Sequence, residues 1–126
     1  MKRLLMIIVT LVMVVTLTAC ATNYTNISNS ELETMLTENT DYLFIDVRTS
    51  KEYNDERVPG FDINIDYYKL DDDHSLISEL DTDKTVVLMC NSGNRSVSAA
   101  KIFYDAGFTN IYNLKNGITG WNGETE

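Results

Sequence analysis

From residue 27 onward the apolar positions alternate between a period near 3.6 and short unbroken runs, the pattern of an α/β domain. Ser28 and Glu31 make an S-x-x-E capping box that opens a short helix with Leu32, Met35 and Leu36 on one face. Residues 42–47 are a continuous apolar run suited to a strand buried on both sides. A polar helical stretch over 49–55 follows, then a turn at Pro59 and Gly60 and a short strand over 62–66. Asp71, Asp72 and Asp73 precede a predicted helix over 74–80, where acidic residues suit the N-terminal end. Residues 85–89 carry the strongest strand signal in the chain. After them come a polar loop over 90–94 and a helix to about Ala106, with Val97, Ala100 and Tyr104 at helical spacing and Gly107 as its C-cap. A last strand is predicted over 110–114, and Gly117, Gly120 and Trp121 close the pattern. The expected fold class is α/β, one domain over 27–126 with a mostly parallel central sheet and helices on both faces.

Residues 1–19 follow a different logic. Lys2 and Arg3 precede an apolar run and then small residues, the pattern of a secretory signal. Leu17, Thr18, Ala19 and Cys20 resemble a bacterial lipobox, in which the cysteine is lipidated and becomes the mature N-terminus. The alternative is an uncleaved anchor, but the 16 residues from Leu4 to Ala19 fall short of the roughly 20 that span a bilayer. The expected location is the bacterial cell envelope, with the domain held on the extracytoplasmic side of the membrane by lipid at Cys20 and residues 20–26 as lipidated cysteine and tether. Loss of Lys2 and Arg3 takes the formal charge from −9 to −11. So acidic a surface disfavours nucleic acid and other polyanions as partners, because Lys and Arg drive that binding.

An exported protein meets an oxidising compartment, yet the only cysteines are Cys20 and Cys90. With Cys20 blocked by lipid, Cys90 stands alone in the loop Cys90, Asn91, Ser92, Gly93, Asn94, Arg95, Ser96, between a buried strand and a helix. Open α/β sheets place ligands at such strand ends. A tight loop there turns backbone N–H groups inward, Gly93 allows the positive φ this needs, and the helix adds its positive pole. Cys90 is expected at the rim of that cradle of amides, in an electropositive and partly exposed site, with Arg95 adding a fixed positive charge within reach of the sulfur and favouring the reactive thiolate. The competing reading is a buried structural cysteine, against which stand the polar neighbours Asn91, Ser92 and Asn94.

These motifs together resemble those of the single-domain rhodaneses. Ile45, Asp46, Val47 and Arg48 resemble the family's strand-ending Asp-Val-Arg, with Glu52 and Tyr53 in its following helix. Residues 55–65 resemble the segment that retains Pro59, Gly60, Ile63, Asn64 and Ile65; residues 90–96 resemble the active-site loop; residues 112–121 resemble the closing Tyr-x-Leu-x-Gly-Gly-x-x-x-Trp. Glu56 and Arg57 stand where Gly-His is usual, Phe61 and Asp62 replace a small residue and its neighbour, and Asn116 replaces a glycine. The resemblance implies a sulfurtransferase in which Cys90 accepts a sulfane sulfur as a persulfide, with Arg95 assisting. The amides of residues 91–95, with Asn91, Ser92, Gly93, Asn94 and Ser96 lining the site, would cradle that sulfur. Asp46 and Arg48 would support the loop; the bland alternative for them is an exposed ion pair worth roughly 0–1 kcal/mol.

The implied reaction takes sulfur from thiosulfate or a persulfide and passes it to a thiophilic acceptor, in two covalent steps. The partners expected are therefore a small anionic sulfur donor, a thiol or cyanide acceptor and a thiol-protein partner, with the chain itself a monomer. No cofactor is implied, and one His with one free Cys makes no ordinary metal cage. His74 reads as a solvated residue and Trp121 as packing. Two rivals differ in class. A phosphatase or arsenate reductase also sets Cys and Arg about an anion loop, but Cys90 and Arg95 enclose four residues, one fewer than the phosphatase signature. A persulfide-carrying or redox-sensing module would use the same sulfur without turnover. For the leader, Cys20→Ala should abolish incorporation of labelled fatty acid in a bacterial host that processes lipoproteins; a wild-type chain that takes up no label removes the lipobox reading.

Overall fold

A computed structural model describes residues 23–38 and 41–126; the leader, Cys20, Ala21 and Thr22 lie outside them. Among the described residues no helix is long and apolar enough to cross a membrane. Five strands form one sheet in the order β1-β5-β4-β2-β3: β1 Thr25–Ile27, β2 Leu43–Asp46, β3 Ile63–Asn64, β4 Val86–Met89 and β5 Ile111–Leu114. Every described strand pair is parallel, as the unbroken apolar runs predict. The helices are α1 Asn29–Glu38, α2 Ser50–Asp55, α3 Tyr67–Asp72 and α4 Asn94–Asp105, with 3-10 turns at His74–Ile77 and Ile118–Gly120.

Central strand β4 explains the layering. Its side chains alternate between faces: Val86 and Leu88, followed by Cys90, join Ile45, Val47 and Ile111 in a core covered by Leu70, Ile77, Ala99, Ala100 and Phe103. Val87 and Met89 point the other way, into a second core with Phe44, Leu114, Leu32, Val58 and Phe61. Helices α3 and α4 thus cover one face and α1 the other. Phe61, where a small residue is usual in the resemblance above, fills the second core and meets Phe44 edge to face at 5.6 Å.

Four expectations need correction. Thr25 and Asn26, assigned to the tether, begin an edge strand that pairs with Tyr112 and Asn113; both are polar, and Asn26 accepts from the Asn113 side-chain amide at 3.0 Å, so no apolar pattern marks them as a strand. The helix predicted over 74–80 is a 3-10 turn, and the helix proper lies earlier. Asp66 caps α3 by accepting from the Tyr68 N–H at 2.9 Å, Leu70 anchors it in the core, and Asp73 then caps the turn through the Ser75 N–H at 3.1 Å. On α4 the buried stripe runs through Ser96, Ala99, Ala100, Ile102 and Phe103. Tyr104 faces water. In the strand predicted over 62–66, only Ile63 and Asn64 pair, with Ile45 and Asp46.

Candidate active site

The carboxyl ends of β2, β4 and β5 converge with the start of α4. Cys90 follows β4 directly and continues its inward alternation, so its sulfur lies under the loop with the residue only 1% exposed. This corrects the expected placement on a partly open rim. The surroundings of the sulfur are nonetheless polar on the loop side: the Gly93 N–H donates to Sγ at 3.0 Å, and the Ser96 hydroxyl lies 3.3 Å from it. The same hydroxyl donates to the Gly93 carbonyl at 3.1 Å, so its single proton serves either the loop or the sulfur. Of the proposed amide cradle, the Gly93 N–H is the donor that reaches Sγ. Asn91, Ser92 and Asn94 are exposed on the outer side of the loop, while Gly93 and Ser96 are buried within it.

Two glycines make this loop possible. Gly93 has φ +100°, and a Cβ there would run into the Lys115 carbonyl. Gly117 has φ +60°, and a Cβ there would strike the carbonyls of Cys90 and Asn91. The following 3-10 turn is tied to the loop by the Ile118 N–H donating to the Cys90 carbonyl at 2.9 Å and the Thr119 N–H to that of Asn91 at 3.0 Å. Asn116, the departure from the resembled glycine, packs its side chain against Gly120, where any Cβ would collide with it. Trp121 packs on the second core, and His74 is exposed on its turn.

Arg95 interacts with Cys90 through space but does not offer the sulfur an unpaired charge. Its two terminal nitrogens donate to the Glu52 carboxylate at 2.7 and 2.9 Å, and its guanidinium stacks 5.6 Å from the Tyr68 ring centroid. Glu52 is the functional candidate that sequence reasoning missed. The signal was available: Thr49 and Glu52 form a second capping box, with the Thr49 side chain accepting from the Glu52 N–H at 3.3 Å and Glu52 Oε1 accepting from the Thr49 N–H at 3.3 Å. One carboxylate therefore caps α2 and clamps Arg95.

Asp46 and Arg48 are 0% and 4% exposed, which excludes the exposed-pair alternative. Arg48 Nε donates to both Asp46 oxygens at 3.1 Å, and Nη2 donates to Oδ2 at 2.7 Å. The remaining guanidinium donors reach the C-terminal carbonyls of α2, Glu56 at 2.6 Å and Glu52 at 3.4 Å. The Asn64 amide closes the group by donating to the Asp46 and Arg48 carbonyls at 3.1 and 2.9 Å. These residues do not touch Cys90; they hold the helix that holds Arg95.

A parallel α/β sheet with a buried cysteine at a strand end, beneath a loop that opens a helix, defines the class of this molecule: a small α/β domain with a loop-held cysteine. Residues 28–124 match the rhodanese-like domain family, and the chain belongs to that family. It is 29% identical over 100 residues to a protein named putative sulfurtransferase YtwF from Bacillus subtilis, covering 79% of this chain and 92% of that one. It is 29% identical over 79 residues to one named thiosulfate sulfurtransferase GlpE from Pseudomonas savastanoi, covering 63% and 71%. A match to the putative sulfur carrier YrkF of Bacillus subtilis, 30% identical over 82 residues, covers 65% of this chain but only 42% of that longer relative. Among solved structures, a rhodanese-related protein from Thermoplasma volcanium superposes with TM-score 0.67 at 24% identity, over 82% of this chain and 98% of the other.

Arg95 also sets a pH dependence. The guanidinium bonds to Glu52, reinforced by those from Thr49 and opposed by partial burial, hold the Glu52 carboxyl down to about 2 against an ordinary 4.5. A depressed carboxyl stabilises the fold above its unfolded value and loses that contribution as pH falls through the folded one. Wild type should therefore exceed Glu52→Gln by on the order of 1 kcal/mol at neutral pH, a modest figure for a carboxylate still in contact with water. In urea unfolding the gap should close progressively as the pH drops from about 4.5 toward 2. A gap that stays constant across that window would show that the pair contributes nothing.

Proposed function

We propose that the chain is a sulfurtransferase in which Cys90 carries the transferred sulfur. The observation that carries this reading is the Gly93 N–H aimed at Cys90 Sγ from 3.0 Å, at the mouth of α4. A thiolate there attacks the outer sulfur of thiosulfate, the donor's S–S bond breaks as the new one forms, and sulfite leaves. A persulfide donor reacts in the same way and releases its thiol. The sulfur left on Cys90 is then taken by a thiol, cyanide or a thiol protein, which restores the cysteine. This is two-step covalent catalysis with ping-pong kinetics expected. The backbone donor and the helix terminus suit a sulfur that is negative before and after transfer. Membership of the rhodanese-like family and the names of the relatives support the same assignment at the level of the family. We further propose that the domain works at the bacterial envelope, anchored through lipid on Cys20, a reading that rests on residues 1–20 alone.

The full-length protein treated with thiosulfate should gain the mass of one sulfur atom on the peptide containing Cys90, and addition of cyanide should remove it as thiocyanate. Cys90→Ser should abolish both events. Arg95→Ala should slow turnover by about 10-fold or more, because freeing Glu52 unclamps the loop and leaves a carboxylate beside it. Equal thiocyanate production by wild type and Cys90→Ser would overturn the assignment.

A further inference from the structure

Both arginines near the candidate site are already committed. Arg48 is spent on Asp46 and the end of α2. Arg95 is spent on Glu52, in a bidentate pair with side chains 18% and 33% exposed. Farther out, Lys51, Arg57, Lys84 and Lys101 pair with Asp55, Glu126, Asp41 and Asp105. Among the described residues this leaves Lys69 and Lys115, whose ammonium groups sit on flexible, exposed stems and make weak anchors. The outer loop positions, Asn91, Ser92 and Asn94, are neutral, and the chain as a whole carries −9. What remains to attract an anion is local: the loop N–H groups and the start of α4, which act over one turn.

That arrangement discriminates between donors by charge. Thiosulfate brings two negative charges and must place both oxygens and sulfur at a loop with no uncompensated guanidinium. An organic persulfide brings at most one, on the sulfur that reacts, and none when protonated. We propose that Cys90 is built to take sulfur from an organic persulfide in preference to thiosulfate, with Glu52 as the specificity determinant because it pairs with Arg95 and offsets its charge. This rests on the sulfur-transfer reading above. In the step, the Cys90 thiolate attacks the outer sulfur of R–S–SH, a new S–S bond forms as the donor's breaks, and R–S⁻ departs and takes a proton from solvent. One disulfide-type bond replaces another, so no oxidant or reductant is consumed.

The test is the rate at which Cys90 in the full-length protein gains one sulfur, read by quenched-flow mass spectrometry, with thiosulfate and with the persulfide of N-acetylcysteamine as probes. Raising salt from about 0.02 to about 0.5 M should speed loading from thiosulfate by about threefold or more, because screening relieves repulsion, and should change loading from the persulfide less. Glu52→Gln should raise the thiosulfate-to-persulfide rate ratio by roughly tenfold, the ratio being immune to a general loss of loop order. Ser92→Lys, which adds a cation on an exposed loop position, should raise the same ratio whether or not Glu52→Gln folds. A wild-type thiosulfate rate that is flat or falls with salt, or a ratio unmoved by either substitution, overturns the donor assignment while leaving sulfur transfer intact. Failure of both donors to load Cys90 would instead remove the sulfur-transfer reading itself.

Discussion

Two opposite charges that have almost no contact with water, Asp46 and Arg48, organise the functional end of this molecule. Burying each ion costs several kcal/mol, and the cost is offset only when geometry is good and every remaining donor and acceptor is used. Here the pair meets that condition. The carboxylate receives the Arg48 N–H at 2.9 Å as well as the guanidinium bonds, and the guanidinium extends to the Glu52 and Glu56 carbonyls. The Glu52 carbonyl also accepts the Glu56 N–H at 3.1 Å, while the Glu56 carbonyl lies just past the end of the helix, where backbone acceptors lack intrahelical partners. An apolar pair of similar volume could match the stability of Asp46 and Arg48. It could not donate to α2, and that donation links the ion pair to the site.

Helix α2 has six residues, Ser50–Asp55, and none is buried. A helix that short has no stability of its own, since nucleation costs more than one turn returns. It persists because Thr49 and Glu52 close its N-terminus while Arg48 holds its C-terminus. Its position places the Glu52 carboxylate against Arg95 in the first turn of α4. The loop that carries Cys90 is thereby pinned at its far end by Arg95, at its near end by β4, and along its edge by the amides of Ile118 and Thr119. The sulfur inherits a fixed place without contacting any of the charged groups that fix it. That division keeps the site rigid and leaves its outer face neutral.

Much of this was legible from residues alone, for reasons that separate by range. Strand β4 and the loop after it stand out because a both-sides-buried parallel strand is a local pattern, and the abrupt change to Asn, Ser and Gly after Cys90 is local too. The parallel sheet follows from the alternation of such runs with helical ones. The misses are nonlocal or arise from competing local cues. Thr25 and Asn26 have polar, exposed side chains, and only their ladder with β5 makes them a strand. Residues 67–72 lack a clear apolar stripe beyond Leu70, so the acidic run after them drew the helix too late. Arg95 looked like a free cation because its partner lies 43 positions away. Glu52 was within reach of the same rule that identified Ser28 and Glu31, since Thr49 and Glu52 repeat the spacing. Its second bond, to Arg95, was not. The burial of Cys90 follows from strand alternation continuing one residue past β4, while its polar neighbours suggested an open rim.

The central claim is that a buried ion pair sets the geometry at a sulfur it does not touch. The direct measurement is the NMR chemical shift of the Gly93 amide proton in Arg48→Lys, a change that keeps the positive charge but removes the planar fork needed to reach Asp46 and the α2 carbonyls together. If the claim holds, the folded variant shows the Gly93 resonance moved upfield, as its hydrogen bond to Cys90 Sγ lengthens. A Gly93 resonance identical to wild type in a folded Arg48→Lys chain would contradict it.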